Sequence, residues 1–140
     1  MRIKRIVVIE GPDQSGMNWT AQCLAFIAAH DLVRHPVKVK VPTEIDQSSV
    51  DWGGGDIGEV IQFHLMPECL VAEMELDETN PLMEGLVFVL KEHVFYLTVR
   101  PADMDIVTRN LSRAIPHCVI VAPTNFKHPR WSLYEKYEEG

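Results

Sequence analysis

At 140 residues with 46% apolar side chains, the chain has the material for a single domain, residues 1–140, built on one two- or three-layer core. No run reaches the roughly 18 apolar residues of a membrane-spanning helix, and Met1-Arg2-Ile3-Lys4-Arg5 leads into a strand-like run rather than a signal-peptide core, so a cytoplasmic protein with no membrane partner is expected. The formal net charge of −7 is uneven: residues 41–90 carry eleven acids and no Lys or Arg, and the remainder carries nine acids and thirteen bases. That balance excludes a basic nucleic-acid-binding stripe and favours attraction to a basic protein surface.

Ile6-Val7-Val8-Ile9 is a β-branched apolar run that predicts a buried central strand over 2–10. A loop opening on Gly11 and closing on Gly16 follows, and then a helix is expected from Met17 to about His30, with Trp19, Cys23, Phe26 and Ile27 along one face. Strand, glycine-bounded loop and helix form the frame of a phosphate-binding loop, but Met17 and Asn18 occupy the places where the chemistry needs Lys and a hydroxyl. Val37 to Val41 alternates as a half-exposed or edge strand, and 45–56, with Ser48, Ser49 and the Gly53–Gly55 triplet, reads as a mobile loop.

Ile57, Val60, Ile61, His64 and Leu65 fall at helical spacing and predict a short helix stopped by Pro67. Residues 69–76 alternate as a strand with one charged face, although a helix fits as well; 94–99 is a strand, and 81–91 fits either state. Pro101 opens a helix to Ile115 on which Asp105, Arg109 and Arg113 are each four apart, and 117–122 is a last buried strand. A C-terminal helix or tail at 131–140 carries Trp131, Tyr134 and Tyr137 three apart, which suits either packing or a protein interface. Cys23, Cys69 and Cys118 are far apart, with no C-x-x-C pair, and are expected as buried thiols rather than metal ligands or disulfides. Alternation of strands and helices gives an α/β fold: a three-layer, mostly parallel sheet of four or five strands flanked by helices.

Residues 6–16, Ile-Val-Val-Ile-Glu-Gly-Pro-Asp-Gln-Ser-Gly, resemble the opening of thymidylate kinases and viral deoxynucleoside monophosphate kinases, with Glu10, Gly11, Asp13 and Gly16 matching in place. Val94 to Pro101 with Arg109 and Arg113 downstream is similar to a late strand and arginine-bearing helix of the same enzymes. The resemblance implies a trimmed P-loop kinase fold with nucleotide- or anion-binding positions at Gly11, Asp13, Gly16, Asn18, Arg109 and Arg113. An ion ladder along a helix face explains the two arginines equally well.

Loss of the loop lysine and hydroxyl points to a regulatory binding protein without catalytic residues, without a metal or cofactor, and with weak or absent nucleotide binding. Its expected partner is a basic protein, such as an enzyme that handles nucleic acid, met by Glu73, Glu75, Asp77, Glu78, Trp131 and Tyr134. Two alternatives stand beside it. One is a nucleotide kinase using ATP and Mg²⁺, with Arg100, Arg109, Arg113 or Lys127 replacing the lysine; the other is a nucleotide sensor without turnover.

Overall fold

The computed structural model describes residues 1–13, 16–42, 54–83 and 93–123. Its strands are β1 (Arg2–Ile9), β2 (Gly11–Pro12), β3 (Asn18–Trp19), β4 (Lys38–Pro42), β5 (Gly54–Met66), β6 (Cys69–Leu76), β7 (His93–Met104) and β8 (Asn110–Pro123). One helix, α1 (Ala21–Ala28), and a 3₁₀ turn at Pro81–Met83 complete the described residues. All eight strands belong to one sheet in the order β1-β6-β5-β4-β8-β3-β2, with β7 on the other edge of β8. Only β3 and β4 run parallel to a neighbour, in both cases β8; the remaining described pairings are antiparallel.

This corrects the expected α/β fold and, with it, the kinase resemblance. A P-loop kinase needs a parallel sheet sandwiched between helices, and here a mixed sheet curls around a single described helix until β1 comes beside β7, with the Arg5 guanidinium 5.7 Å from the centre of the Phe95 ring. Helix α1 packs on β8, β5 and β6 and fills the curl. Thr20 caps it by accepting from the Cys23 N–H at 3.1 Å, and Cys23, Leu24 and Ile27 form its buried stripe. Phe26, expected on that stripe, lies 42% exposed.

Three expected helical stretches resolve differently, each for a local reason. The helix expected from Met17 starts only at Ala21, because Asn18 and Trp19 pair with Pro12 and Gly11 on one side and with Asn110 and Leu111 on the other. Residues 57–66 are strand β5, and its register slips between Val60 and Gln62. That bulge, with a second irregularity at Ile57 opposite β4, puts Ile57, Val60 and Phe63, three apart, all into the core, so a doubly bulged strand carries apolar residues at a spacing that mimics a helix. Residues 101–115 form the ends of β7 and β8 and the turn between them, not a helix: Pro101 lies on β7, which pairs only with β8 among the described residues, an edge position that tolerates a missing N–H.

Residues 69–76, whose pattern fits strand or helix, form β6 and bury Leu70, Ala72, Met74 and Leu76 in strict alternation. Of the stretch expected as a loop, 45–56, residues 54–56 begin β5 and 45–53 lie outside the described residues, as does the whole of 131–140 with Trp131 and Tyr134.

Register gives the sheet two ends. Arg2 opposite Glu75, Pro42 opposite Gly54, Gly58 opposite Leu76 and His93 opposite Pro123 define a near end. The turns after β1, β5 and β7, at Glu10, Pro67–Glu68 and Asp105–Arg109, define a far end.

Candidate functional site

The glycine-bounded segment at the far end is a small hairpin closed on itself. Asp13 donates its N–H to the Met17 carbonyl at 2.9 Å and accepts from the Gly16 N–H at 3.1 Å. Its side chain, 7% exposed, takes the Met17 N–H on one oxygen and the Trp19 indole N–H on the other, both at 3.1 Å. Met17 and Trp19 are themselves core residues. Gly11 at φ +120° and Gly16 at φ +86° supply the backbone conformations that such a turn requires of glycine.

The segment then docks onto β8. The Asn18 N–H donates to the Arg109 carbonyl at 2.9 Å, the Asn18 amide to the Asn110 side-chain oxygen at 2.8 Å, and the Thr20 hydroxyl to the Leu111 carbonyl at 2.7 Å. Sequence reasoning placed Gly11, Asp13, Gly16, Asn18 and Arg109 in one site, and the fold does bring them together, as a backbone-paired junction. Arg109 sits at φ +62° in the turn between β7 and β8, and Arg113 points across to Asp103, its register partner, at 3.5 Å. Helix α1 starts at Ala21, beyond β3, with Thr20 engaged on the Cys23 amide.

The acidic residues form two groups that share Glu75. Glu73, only 14% exposed on its side chain, is bound by His64 at 2.9 Å on β5 and flanked on β1 by Arg2 at 3.7 Å and Lys4 at 3.8 Å. The hydrogen bond with His64, helped by the charges of Lys4, His64 and Arg2, holds its carboxyl below the ordinary glutamate range. Glu75 is held low in the same way by the Met1 ammonium at 3.2 Å and the Arg2 guanidinium at 3.3 Å. These two acids tie β6 to its neighbours.

The second group surrounds an open groove of about 650 Å³ at the near end. Asp56 and Glu59 from β5, Glu75 from the end of β6, and Asp77 and Glu78 just after it line the groove, with Lys38 and the Met1 amine as its cations and Ile57, Gly58 and Leu76 beneath. Gly58 is required there: a methyl group on it would run into the Glu75 carbonyl oxygen. Asp77 opens a turn by taking the Thr79 N–H at 3.0 Å and its hydroxyl at 2.6 Å, which lowers its carboxyl. The Asp77 N–H donates to the Ile57 carbonyl at 2.7 Å, so the turn is fixed to β5. Lys38 pairs with Glu59 at 3.1 Å and Lys40 with Asp56 at 3.8 Å, while Glu78 has only a 3.9 Å approach to the Met1 amine.

Sequence reasoning named Glu75, Asp77 and Glu78 but missed Lys38, Asp56 and Glu59. Their signal was cross-strand: Lys38 and Lys40, two apart on β4, face Glu59 and Asp56, three apart on β5, and the bulge between Val39 and Lys40 reconciles the spacings. Among the described residues no group of three or more His, Cys, Asp or Glu could hold a metal ion, and no helix is long and apolar enough to cross a membrane. Comparison of the chain with protein-family models, with curated proteins and with solved structures gives no match.

Proposed function

We propose that the protein is a binding protein whose near-end groove receives a basic segment of a protein partner, in a cytoplasmic setting. The observation that carries this reading is that, of the five carboxylates around an open space of about 650 Å³, Glu59, Asp56 and Glu75 are met by Lys38, Lys40 and Arg2, whereas Asp77 and Glu78 meet no side-chain cation among the described residues. Grooves of roughly 300–1,000 Å³ hold compact ligands or a few side chains of a partner. The pairs at its rim are solvent-exposed, and such pairs contribute about 0–1 kcal/mol each, so a partner's Lys or Arg can exchange into them at little cost. Asp77 and Glu78 are the principal contacts, since a turn hydroxyl and a distant amine, rather than a side-chain cation, hold them. An enzyme that handles nucleic acid presents basic surface of the kind required.

Calorimetric titration with an oligolysine peptide tests the reading. Binding is expected at low salt and is expected to weaken as ionic strength rises, because contacts between exposed charges are screened beyond about 8–10 Å at physiological salt. Reversing Asp77 and Glu78 together to Lys should lower the affinity about tenfold or more, each lost contact being worth up to about 1 kcal/mol. Unchanged affinity in that double variant, or no binding at low salt, would contradict it.

A further inference from the structure

The hairpin of β7 and β8 stands clear of the core at its far end: from Arg100 to Asn110 every residue is exposed except Met104, which is half-buried. Its turn holds three residues that turn chemistry disfavours. Ile106 and Val107, where Gly, Asn, Asp or Ser are usual, are 85% and 91% exposed, and Arg109 sits at φ +62°, a conformation that glycine and asparagine adopt more readily. The backbone of the same turn is closed on itself. The Asp105 carboxylate takes the Val107 N–H at 2.8 Å and the Thr108 N–H at 3.1 Å, and the Arg109 N–H donates to the Asp105 carbonyl at 2.7 Å. The Asp105 N–H donates to the Asn110 carbonyl at 3.0 Å and the Asn110 N–H to the Thr108 hydroxyl at 3.3 Å. Five of the six amides from Asp105 to Asn110 are thus bonded inside the turn. Behind the tip, Arg113 pairs with Asp103, whereas Arg100 and Arg109 meet no carboxylate among the described residues.

We infer that this tip enters the headgroup region of a phospholipid bilayer, with Ile106 and Val107 toward the acyl chains and Arg109, then Arg100, on lipid phosphates. Each feature meets a separate demand of that surface. Hydrocarbon accommodates branched aliphatic side chains but offers no partner to a free N–H, so a turn can enter it only with its amides already bonded. Guanidinium groups pair with phosphate oxygens just outside the hydrocarbon. A protein cleft can supply acceptors of its own and makes no such demand on the backbone, which favours lipid as the occupant. The net charge of −7 does not oppose the contact, because the acidic groove lies at the other end. From Asn110 to Cys118, the register partner of Lys38, β8 alone spans about 25 Å, against a screening length of about 8–10 Å at physiological salt. The bilayer therefore meets the charge of residues 100–113, three arginines against two aspartates, while the groove stays open to a soluble partner. Entry of two side chains needs no membrane-spanning run, so the contact departs from the expectation of no membrane partner, which rested on the absence of such a run.

Co-sedimentation of the full chain with sucrose-loaded vesicles of phosphatidylcholine and about 30% phosphatidylserine, at millimolar lipid, tests the inference. Wild type is expected to bind. Ile106→Ser with Val107→Ser alters exposed side chains only, so it should unfold as wild type does and bind about tenfold or more weakly, having lost its inserted aliphatic carbons. Arg109→Gln should weaken binding about fivefold, the contribution of one cation beside an anionic leaflet. Val107→Trp puts a reporter at the tip, whose emission should move to the blue on addition of vesicles, beyond any change seen in wild type. Wild type left in the supernatant, binding unaltered in the double serine variant, or a Val107→Trp spectrum indifferent to vesicles would overturn the inference; the first of these would assign the tip to a protein cleft instead.

Discussion

Two acidic regions at opposite ends of one sheet use their carboxylates in opposite ways. At the far end Asp13 is buried and both its oxygens are spent on the Met17 N–H and the Trp19 indole, so its charge holds a hairpin shut. At the near end Asp56 and Glu59 stand around open space in pairs with Lys40 and Lys38 that solvent already competes for, and Asp77 and Glu78 stand beside them with no side-chain cation among the described residues. The same residue types supply structure in one place and an exchangeable surface in the other. Burial decides which, since a carboxylate removed from water must be fully bonded where it sits, whereas an exposed one keeps its partners interchangeable.

The largest effect expected from breaking that contrast is at Asp13. Asp13→Ala strands two donors next to the buried Met17 and Trp19, and a lost hydrogen bond to a charged group costs about 1.5–3 kcal/mol. A loss of about 3 kcal/mol, read as a drop of roughly 10 °C in Tm by calorimetry, is expected; a drop under about 2 °C would show that Asp13 is not the lock of the hairpin. Gly58→Ala comes next, because the added methyl meets the backbone of β6 and not a movable side chain. Forcing those strands apart should cost about 1–3 kcal/mol in denaturant unfolding and should disturb the groove it underlies.

Smaller, and confined to acid, is the effect of the Glu73 network. The carboxyls of Glu73, Glu75 and Asp77 are lowered in the folded state, so the unfolded chain binds more protons as pH falls below ordinary carboxylate values. Their contribution is therefore present above the unfolded values, 4.5 for Glu and 3.8 for Asp, and is lost as pH drops through the lower folded values. Glu73→Gln should flatten part of that acid limb while leaving its neutral-pH side parallel to wild type; an unchanged slope below pH about 4.5 would remove Glu73 from the account. The smallest stability effect belongs to the groove rim. Glu78→Lys alone, which removes only a 3.9 Å approach to the Met1 amine, should alter stability by under about 0.5 kcal/mol, even as it weakens peptide binding.

How much of this was legible in the sequence follows from which interactions are local. Ile6 to Ile9 and 117–122 announced strands because continuous β-branched runs need no distant information, although β1 ends the strand order where a central strand was expected, and the burial on 69–76 followed from alternation alone. Residues 57–66 misled because Ile57, Val60, Ile61, His64 and Leu65 fall at helical spacing, whereas bulges against β4 and β6 bury Ile57, Val60 and Phe63 and leave Ile61 and Leu65 exposed, and those bulges are set by strand pairing, which local pattern does not contain. Asp105, Arg109 and Arg113, four apart, fitted a helix as well as they fit a turn flanked by a cross-strand pair. The glycines of the first loop marked a turn, but the loop was read as the frame of a phosphate-binding site with Asp13 in it, and sequence alone did not reveal that the Trp19 indole would donate to the Asp13 carboxylate and thereby give the loop a structural task. Half of the groove was visible as an acidic run, Glu75 to Glu78. The other half, Asp56 and Glu59 with Lys38, came into view only when β4 and β5 were laid side by side.

The most direct test of the division between the two ends is a single titration of isotope-labelled protein with an oligolysine peptide, followed by backbone amide NMR. The account predicts progressive, salt-sensitive shifts at Lys38, Asp56, Glu59, Asp77 and Glu78, with Gly11, Asp13, Gly16 and Asn18 unmoved. Shifts centred on the Gly11–Asn18 hairpin, with the near-end groove silent, would contradict it.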